Sequence, residues 1–243
     1  MTYCLAIKID SGLVFASDTR TNAGMDQIST YSKMYAFTAE SDRAFVLLSS
    51  GNLATTQGVI NHIRHALYEE GERNSFKNFK YMFDVAEYIG DLNRHVQGRD
   101  RNIPQQESVK LEASFILGGQ IGKEEQEIYL IYPEGNYISV SPTKPYLQIG
   151  ETKYGKPILD RIVTPEITLE DAARCALVSL DSTMRSNLSV GPPIELVICP
   201  KDKYTIEHHL ILDVESPLYQ AITKGWSDGL RSAFTKLPRF EWE

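Results

Sequence analysis

Thr2, the residue that follows the initiator methionine, could become a catalytic nucleophile. A methionine before a small residue is generally trimmed, which would make Thr2 the first residue of the mature chain. A terminal threonine carries a hydroxyl nucleophile and an α-amino group, whose reference pKa of about 7.7–8.0 leaves part of it neutral near pH 7. The amine can take the hydroxyl proton directly or through a water molecule, which activates the threonine. Because many chains begin with Met-Thr, the catalytic hypothesis depends on the residues that surround Thr2.

The elements that would position Thr2 are two predicted strands joined by a tight turn. Residues 2–9 alternate like a strand, residues 10–12 read Asp-Ser-Gly, and residues 13–17 form a second strand. Since a hairpin is antiparallel, the end of its second strand returns to the start of the first. We therefore expect Asp18 and Arg20 to lie near Thr2 and, being of equal parity, to point to one side. Without Thr2, these two residues would be read as an ordinary surface ion pair.

Lys33 is a further charged residue that could support the site. It follows the polar stretch Ser29-Thr30-Tyr31-Ser32 and precedes the next predicted strand. A fixed positive charge lowers the pKa of a neighbouring amine and, together with backbone donors, stabilises an oxyanion. An acid beside this lysine would hold and orient it.

The composition limits the class of protein. The 243 residues are 42% hydrophobic and 23% charged, with a net charge of −7, as in a globular chain without a nucleic-acid-binding surface. The sequence contains neither the ~20 apolar residues needed to cross a bilayer nor a signal-peptide pattern. Cys4, Cys175 and Cys199 are odd in number and lack metal-ligand spacing. We expect reduced, buried cysteines in a cytoplasmic protein.

Blocks of strands alternate with pairs of helices along the chain. Strands are predicted at 2–9, 13–17, 35–38, 44–49, 112–117, 127–132, 137–140, 146–149, 194–199 and 204–212. Helices are predicted at about 53–70, 80–96, 150–162, 168–186 and 217–234, with Thr168 as N-cap of the fourth and Asp171 at its capping-box position. This order favours an α+β fold in which helix pairs cover two antiparallel sheets. In the absence of a linker-like segment, we expect one domain over residues 1–243.

The opening motif resembles that of the proteasome-type β subunits, which are N-terminal nucleophile hydrolases. The run TYCLAIKIDSGLVFASDTR is similar to the family's nucleophile, strand, turn and second strand that ends in A-x-D-x-R. The segments TRTNAGMDQIS and SSGNLATTQGV, with the Met-Thr start, look most like the bacterial ancestral β subunits, Anbu. The resemblance implies a four-layer αββα sandwich.

The resemblance also assigns roles to the first part of the chain. Thr2 matches the family nucleophile, Asp18 the buried acid, and Lys33 the lysine that this acid orients and that tunes the threonine. Arg20 matches a structural basic residue near the site. Gly51 matches the glycine whose N–H forms the oxyanion hole, and its other interpretation, a simple strand terminator, is compatible with that role.

The second half departs from the family pattern. Where the family has a Gly-Ser-Gly serine that organises the terminal amine, this chain has Glu151 or Thr152. Ser189 matches the serine of the family's acid-x-x-serine pair, but Ser186 stands where the acid is expected. The support of Thr2 from this half is therefore an open question.

Other residues are candidates for binding. By resemblance, Thr21, Asn22 and Tyr31 would contact substrate. The adjacent pair His208-His209 would point to opposite faces of a strand, and no Glu accompanies His62 and His65, so we expect no metal site.

The resemblance implies a threonine peptidase or amidohydrolase that forms an acyl-enzyme on Thr2 and requires no metal or organic cofactor. Its substrate would be a peptide, and an amidase for a small amide or modified peptide is an alternative. A non-catalytic scaffold subunit is a second alternative, which the altered positions 151 and 186 favour and the preserved Thr2, Asp18 and Lys33 disfavour.

We expect neither nucleic acid nor membrane as partner, and the sequence leaves a regulatory ATPase undecided. The family resemblance implies a large ring or spiral homo-oligomer. Phe240 and Trp242 would seal an interface between subunits, since exposed aromatic pairs usually have a partner.

Overall fold

The computed structural model describes residues 1–22, 28–68, 76–100, 110–206 and 208–242. In these residues the strands are β1 (Tyr3–Ile9), β2 (Gly12–Asp18), β3 (Arg20–Asn22), β4 (Ile28–Thr30), β5 (Met34–Glu40), β6 (Arg43–Gly51), β7 (Ala113–Ile121), β8 (Glu127–Ile131), β9 (Tyr137–Ser139), β10 (Tyr146–Gly150), β11 (Ile194–Pro200) and β12 (His208–Leu212). The helices are α1 (Leu53–Tyr68), α2 (Met82–Asp100), α3 (Lys156–Ile162), α4 (Leu169–Ser186) and α5 (Pro217–Thr235).

Two five-stranded antiparallel sheets form the centre of the protein. The first has the order β10-β1-β2-β11-β12 and the second the order β5-β6-β7-β8-β9. Strand β1 therefore lies inside the first sheet, with Cys4 opposite Ser17 of β2 and Tyr3 opposite Gly150 of β10. Pairing on both sides holds the first residues of the chain in place, because their backbone groups enter two ladders.

Three clusters of buried apolar side chains fill the spaces between the layers. Leu5 and Ile7 of β1 face a cluster shared with α3, α4 and α5, whereas Cys4 and Ala6 face a cluster shared with the second sheet. This alternation is the two-residue period of a strand that is buried on both faces. A third cluster lies between the second sheet and helices α1 and α2. The layers run α, β, β, α, so the predicted αββα sandwich is confirmed.

Two predicted elements begin later than expected. The helix predicted from residue 150 begins at Lys156, because Gly150 has φ +83° and residues 151–155 form a turn. The strand predicted from residue 204 begins at His208, because Asp202 and Tyr204 have φ of +62° and +49°. Left-handed residues interrupt an extended strand.

The remaining predicted elements are observed with shifted ends. Thr168 caps α4 as predicted, since its Oγ accepts a hydrogen bond of 3.0 Å from the Asp171 amide nitrogen. The short hairpin of β3 and β4 was not predicted. The predicted end of the first helix, at residue 70, lies outside the described residues. Among the helices of the described ranges, we find none with the length and apolarity to span a bilayer.

Candidate active site at the start of the first strand

Thr2 is partly exposed at the start of β1, where two backbone hydrogen bonds fix it. Its carbonyl oxygen accepts from the Glu151 amide nitrogen at 2.7 Å, and the next amide, of Tyr3, donates to Asp18 Oδ1 at 2.9 Å. The buried Tyr3 side chain anchors the strand further, because its hydroxyl bonds Ser179 Oγ at 2.7 Å and accepts from Gln148 Nε2 at 2.6 Å. The Thr2 position is therefore well defined.

Asp18 and Lys33 form a buried ion pair beside this position. Lys33 Nζ lies 2.6 Å from Asp18 Oδ1 and donates to the Arg20 carbonyl oxygen at 2.7 Å. Asp18 Oδ2 accepts from the Gly191 amide nitrogen at 3.2 Å. Burial raises the pKa of the Asp18 carboxyl, against the opposing effects of Lys33 and the Tyr3 and Gly191 amides. Because three donors bind it, we expect the carboxylate to be ionised at neutral pH.

The chain terminus lies in the field of this pair. With Met1 in place, burial and the charge of Lys33 lower the pKa of the terminal amine, whereas Asp18 and Glu151 raise it. An amine with a lowered pKa keeps a larger neutral fraction at neutral pH, as a proton acceptor needs.

Arg20 braces a loop instead of pointing at Thr2. Its guanidinium donates to the Leu188 carbonyl oxygen at 2.7 Å and packs against Gly191, where an added Cβ would lie 2.3 Å from Arg20 Cζ. Asp18 and Arg20 thus contact the same residue, Gly191. The reach of the guanidinium to residues 188–191 fits a structural role.

Gly51 ends β6 in a conformation that favours glycine. Its φ is +109°, and a Cβ would lie 2.3 Å from the Glu112 carbonyl oxygen. The same strand is joined to Lys33, whose carbonyl oxygen accepts from the Ser49 amide nitrogen at 2.9 Å. Backbone geometry therefore explains the glycine, and its role in an oxyanion hole stays a prediction.

Ser189 lies in a polar network that the sequence did not reveal. Its hydroxyl donates to Asn187 Oδ1 at 2.6 Å, and Asn187 Nδ2 donates to Glu151 Oε2 at 3.0 Å. Ser186, at the expected acid position, is exposed as the last residue of α4. Of the two residues considered for the family's serine, Glu151 enters the network, whereas the Thr152 carbonyl oxygen accepts from Gln148 Nε2 at 3.4 Å. Asn187 was missed because it resembles an ordinary helix C-cap.

The predicted substrate-contacting residues adjoin the site. Thr21 and Asn22 belong to β3, which begins at Arg20, and the Tyr31 amide nitrogen donates to the Thr19 carbonyl oxygen at 2.9 Å. The Tyr31 side chain is exposed and lines a cavity of about 270 Å³ with Tyr35 and Arg64, among others. Contact of these residues with substrate stays a prediction.

Cys4 adjoins the site in β1, whereas Cys175 lies in α4, Cys199 in β11 and the adjacent histidines in β12. All three cysteines are free and buried, and burial raises the pKa of Cys175 and Cys199 to about 12, so neither thiol is a nucleophile near pH 7. His208 pairs with Ile198 and His209 with Val197 along β12. Within the described ranges, no three His, Cys, Asp or Glu side chains are grouped to hold a metal ion.

The αββα sandwich agrees with a comparison that shows the family to which this chain belongs, the proteasome subunit family. The model of that family, described as Proteasome subunit, matches residues 2–199. The resemblance noted in the sequence is therefore confirmed at the level of the family.

Within this family the chain is similar to solved Anbu structures. Anbu (ancestral beta-subunit) from Yersinia bercovieri is 41% identical, with a TM-score of 0.92 over 99% of this chain and 100% of that chain. Anbu from Hyphomicrobium sp. strain MC1 is 41% identical, with a TM-score of 0.90 and the same coverage. The helical assembly of the Anbu complex from Pseudomonas aeruginosa is 42% identical, with a TM-score of 0.93 over 98% of each chain. No curated protein matches the chain.

Proposed function

We propose that this protein is a threonine-type peptidase or amidohydrolase with Thr2 as its nucleophile. The observation that carries the proposal is the buried Lys33–Asp18 pair at 2.6 Å, which is bonded through Asp18 to the residue after Thr2. Asp18 holds Lys33 in place, and the charge of Lys33 disfavours the ammonium form of the terminal amine, an effect that Asp18 partly opposes. Membership of the proteasome subunit family supports the same reaction class.

The proposed reaction begins with removal of Met1. The Thr2 hydroxyl attacks the substrate's amide carbonyl carbon, and its proton passes to the Thr2 amine. A C–O bond forms and the carbonyl oxygen becomes an oxyanion, which the Gly51 N–H would stabilise. On collapse the C–N bond breaks, and the ammonium returns its proton to the leaving amine. Water then cleaves the acyl ester by the same route and restores Thr2.

We propose that the active form is a homo-oligomer in the cytoplasm. The similar chain from Pseudomonas aeruginosa forms a helical assembly. The described C-terminal tail carries large exposed apolar side chains, with Phe234 74%, Phe240 64% and Trp242 78% exposed. Exposed apolar surface of this kind favours association. The three free, buried cysteines suit a reducing compartment.

The test is hydrolysis of amide substrates by wild type, Thr2→Ala, Thr2→Ser and, as matched control, Thr143→Ala on an exposed loop. We expect Thr2→Ala to be inactive, Thr2→Ser to retain part of the activity, and Thr143→Ala to equal wild type. Full activity in Thr2→Ala would refute the proposal. Cleavage of small amides but not of peptides would favour the amidase, and covalent inertness of Thr2 would favour the scaffold.

A further inference from the structure

The turn after β10 is built around the backbone of Thr2. Gly150 has φ +83°, and a Cβ on it would lie 1.9 Å from the Thr2 carbonyl oxygen. This close approach requires glycine, and it brings the Glu151 amide nitrogen within 2.7 Å of the same oxygen. Glu151 is thereby tied to the N-terminal residue through its backbone.

The Glu151 side chain is held separately. Its Oε2 accepts from Asn187 Nδ2 at 3.0 Å, and Asn187 Oδ1 accepts from both the hydroxyl and the amide nitrogen of Ser189, at 2.6 and 3.0 Å. These bonds fix the orientation of the Asn187 amide, because only its oxygen can accept and only its nitrogen can donate. Asn187 therefore orients the carboxylate.

Three charged side chains act on the amine of the chain terminus with Met1 in place, namely those of Lys33, Asp18 and Glu151. Asp18 ends β2, Lys33 precedes β5, and Glu151 follows β10, whereas the Arg20 guanidinium of β3 is bonded to the Leu188 carbonyl oxygen. Lys33 largely compensates the charge of Asp18 at 2.6 Å. The Glu151 carboxylate, by contrast, accepts its hydrogen bond from a neutral amide and not from a cation.

We propose that Glu151, oriented by Asn187, is a positioning residue that holds the α-amino group of mature Thr2 through its carboxylate. The inference rests on the proposed function, in which that amine carries the proton. It gives Glu151 the role of the serine that organises the terminal amine in the family, a role for which the sequence left Glu151 and Thr152 as alternatives. Since an anion favours the ammonium form, Glu151 opposes Lys33 and sets the pH range in which the amine accepts a proton.

The experiment measures the pKa of the Thr2 amine in the assembled, trimmed protein. The protein is acetylated competitively with acetic anhydride at a series of pH values, and mass spectrometry of the N-terminal peptide measures the extent of acetylation. The pH dependence gives the pKa of the Thr2 amine without requiring catalysis. Glu151→Gln removes the charge and keeps an acceptor for Asn187. We expect the amine pKa to fall by about one unit, as when an opposite charge is removed.

Two further variants distinguish the effect of the Glu151 charge from an effect of the substitution on the fold. Glu151→Asp keeps the charge and should leave the amine pKa nearer to wild type than Glu151→Gln does. Glu124→Gln removes a charge from an exposed turn at the far end of β7 and should leave the pKa unchanged.

An unshifted amine pKa in trimmed Glu151→Gln would overturn the role of Glu151 alone. A trimmed protein with the expected shift but without reactivity at the Thr2 hydroxyl would support Glu151 and contradict the hydrolase.

Discussion

At the residue scale, the site depends on one buried ion pair. Lys33 and Asp18 are nearly inaccessible to solvent, and two backbone amides also bind the carboxylate. Burying two charges is costly, and the pair repays this only through short, fully bonded geometry. Removing either partner leaves an uncompensated charge beside Thr2. The pair therefore links stability to the proposed chemistry.

Lys33→Ala should lower the free energy of unfolding by about 3–5 kcal/mol, because Asp18 stays buried without its partner. It should also raise the pKa of the terminal amine, since Lys33 no longer opposes protonation, and shift any pH–rate profile to higher pH. Denaturant unfolding and pH-dependent acylation of Thr2 check the two effects.

The control is the double variant Lys33→Met with Asp18→Asn, which removes both charges. We expect it to recover part of the lost stability while Thr2 acylation stays low. A double variant no more stable than Lys33→Ala would show that the unpaired carboxylate is not the cause.

At the element scale, one turn links two strands to the site. Gly150 ends β10 opposite Tyr3 of β1, and its left-handed backbone lets the chain cross the Thr2 carbonyl oxygen. The turn also delays α3 until Lys156 and leads Glu151 to Asn187 at the end of α4. Two strands and a helix terminus therefore meet at Thr2.

Gly150→Ala should disrupt this junction, because the new Cβ would lie 1.9 Å from the Thr2 carbonyl oxygen. We expect a loss of about 1–3 kcal/mol from backbone strain at this φ, with the further cost of displacing Thr2. Thermal unfolding and Thr2 labelling measure both.

Gly98→Ala is the matched control. Gly98 lies in α2, and an added Cβ would meet no atom within 4 Å, so this change should be neutral or stabilising. If both variants unfold alike, the close approach at Gly150 is not important for stability.

The sequence predicted the parts of the site that depend on local pattern. Alternation and the Asp-Ser-Gly turn were enough to bring Asp18 beside the start of β1, because hairpin register follows from the turn. The link between Glu151 and Asn187 joins residues 36 apart in sequence. Such a contact depends on how a turn and a helix end pack, which no local period encodes. The left-handed backbone of Asp202 and Tyr204 was not predicted either, since no local period of the sequence encodes it.

At the scale of the whole molecule, the αββα sandwich holds Thr2 at the start of an interior strand of the first sheet and leaves apolar side chains of the tail exposed. Phe240 and Trp242 stack with centroids 4.3 Å apart, yet both remain exposed in the single chain. Burial of two such rings would release a large apolar area from water. That the tail forms contacts between copies of the chain stays a prediction.

Replacing Phe240 and Trp242 together by serine should reduce the mass of the assembly without unfolding the subunit. Glu241→Ala, at the residue between the two aromatics in sequence, is the control and should assemble normally. Native mass spectrometry and light scattering measure the mass, and circular dichroism monitors the fold. An unchanged assembly in the double variant would exclude the tail as an interface.

The central claim is that mature Thr2 is an activated nucleophile. The most direct measurement is the intact mass of the purified protein before and after treatment with a β-lactone that acylates terminal threonines, with the adduct located by fragmentation. We predict a chain without Met1 that gains one acyl group on the Thr2 hydroxyl, and no adduct on Thr2→Ala. A chain that keeps Met1, or a trimmed chain whose Thr2 stays unmodified, would contradict the claim.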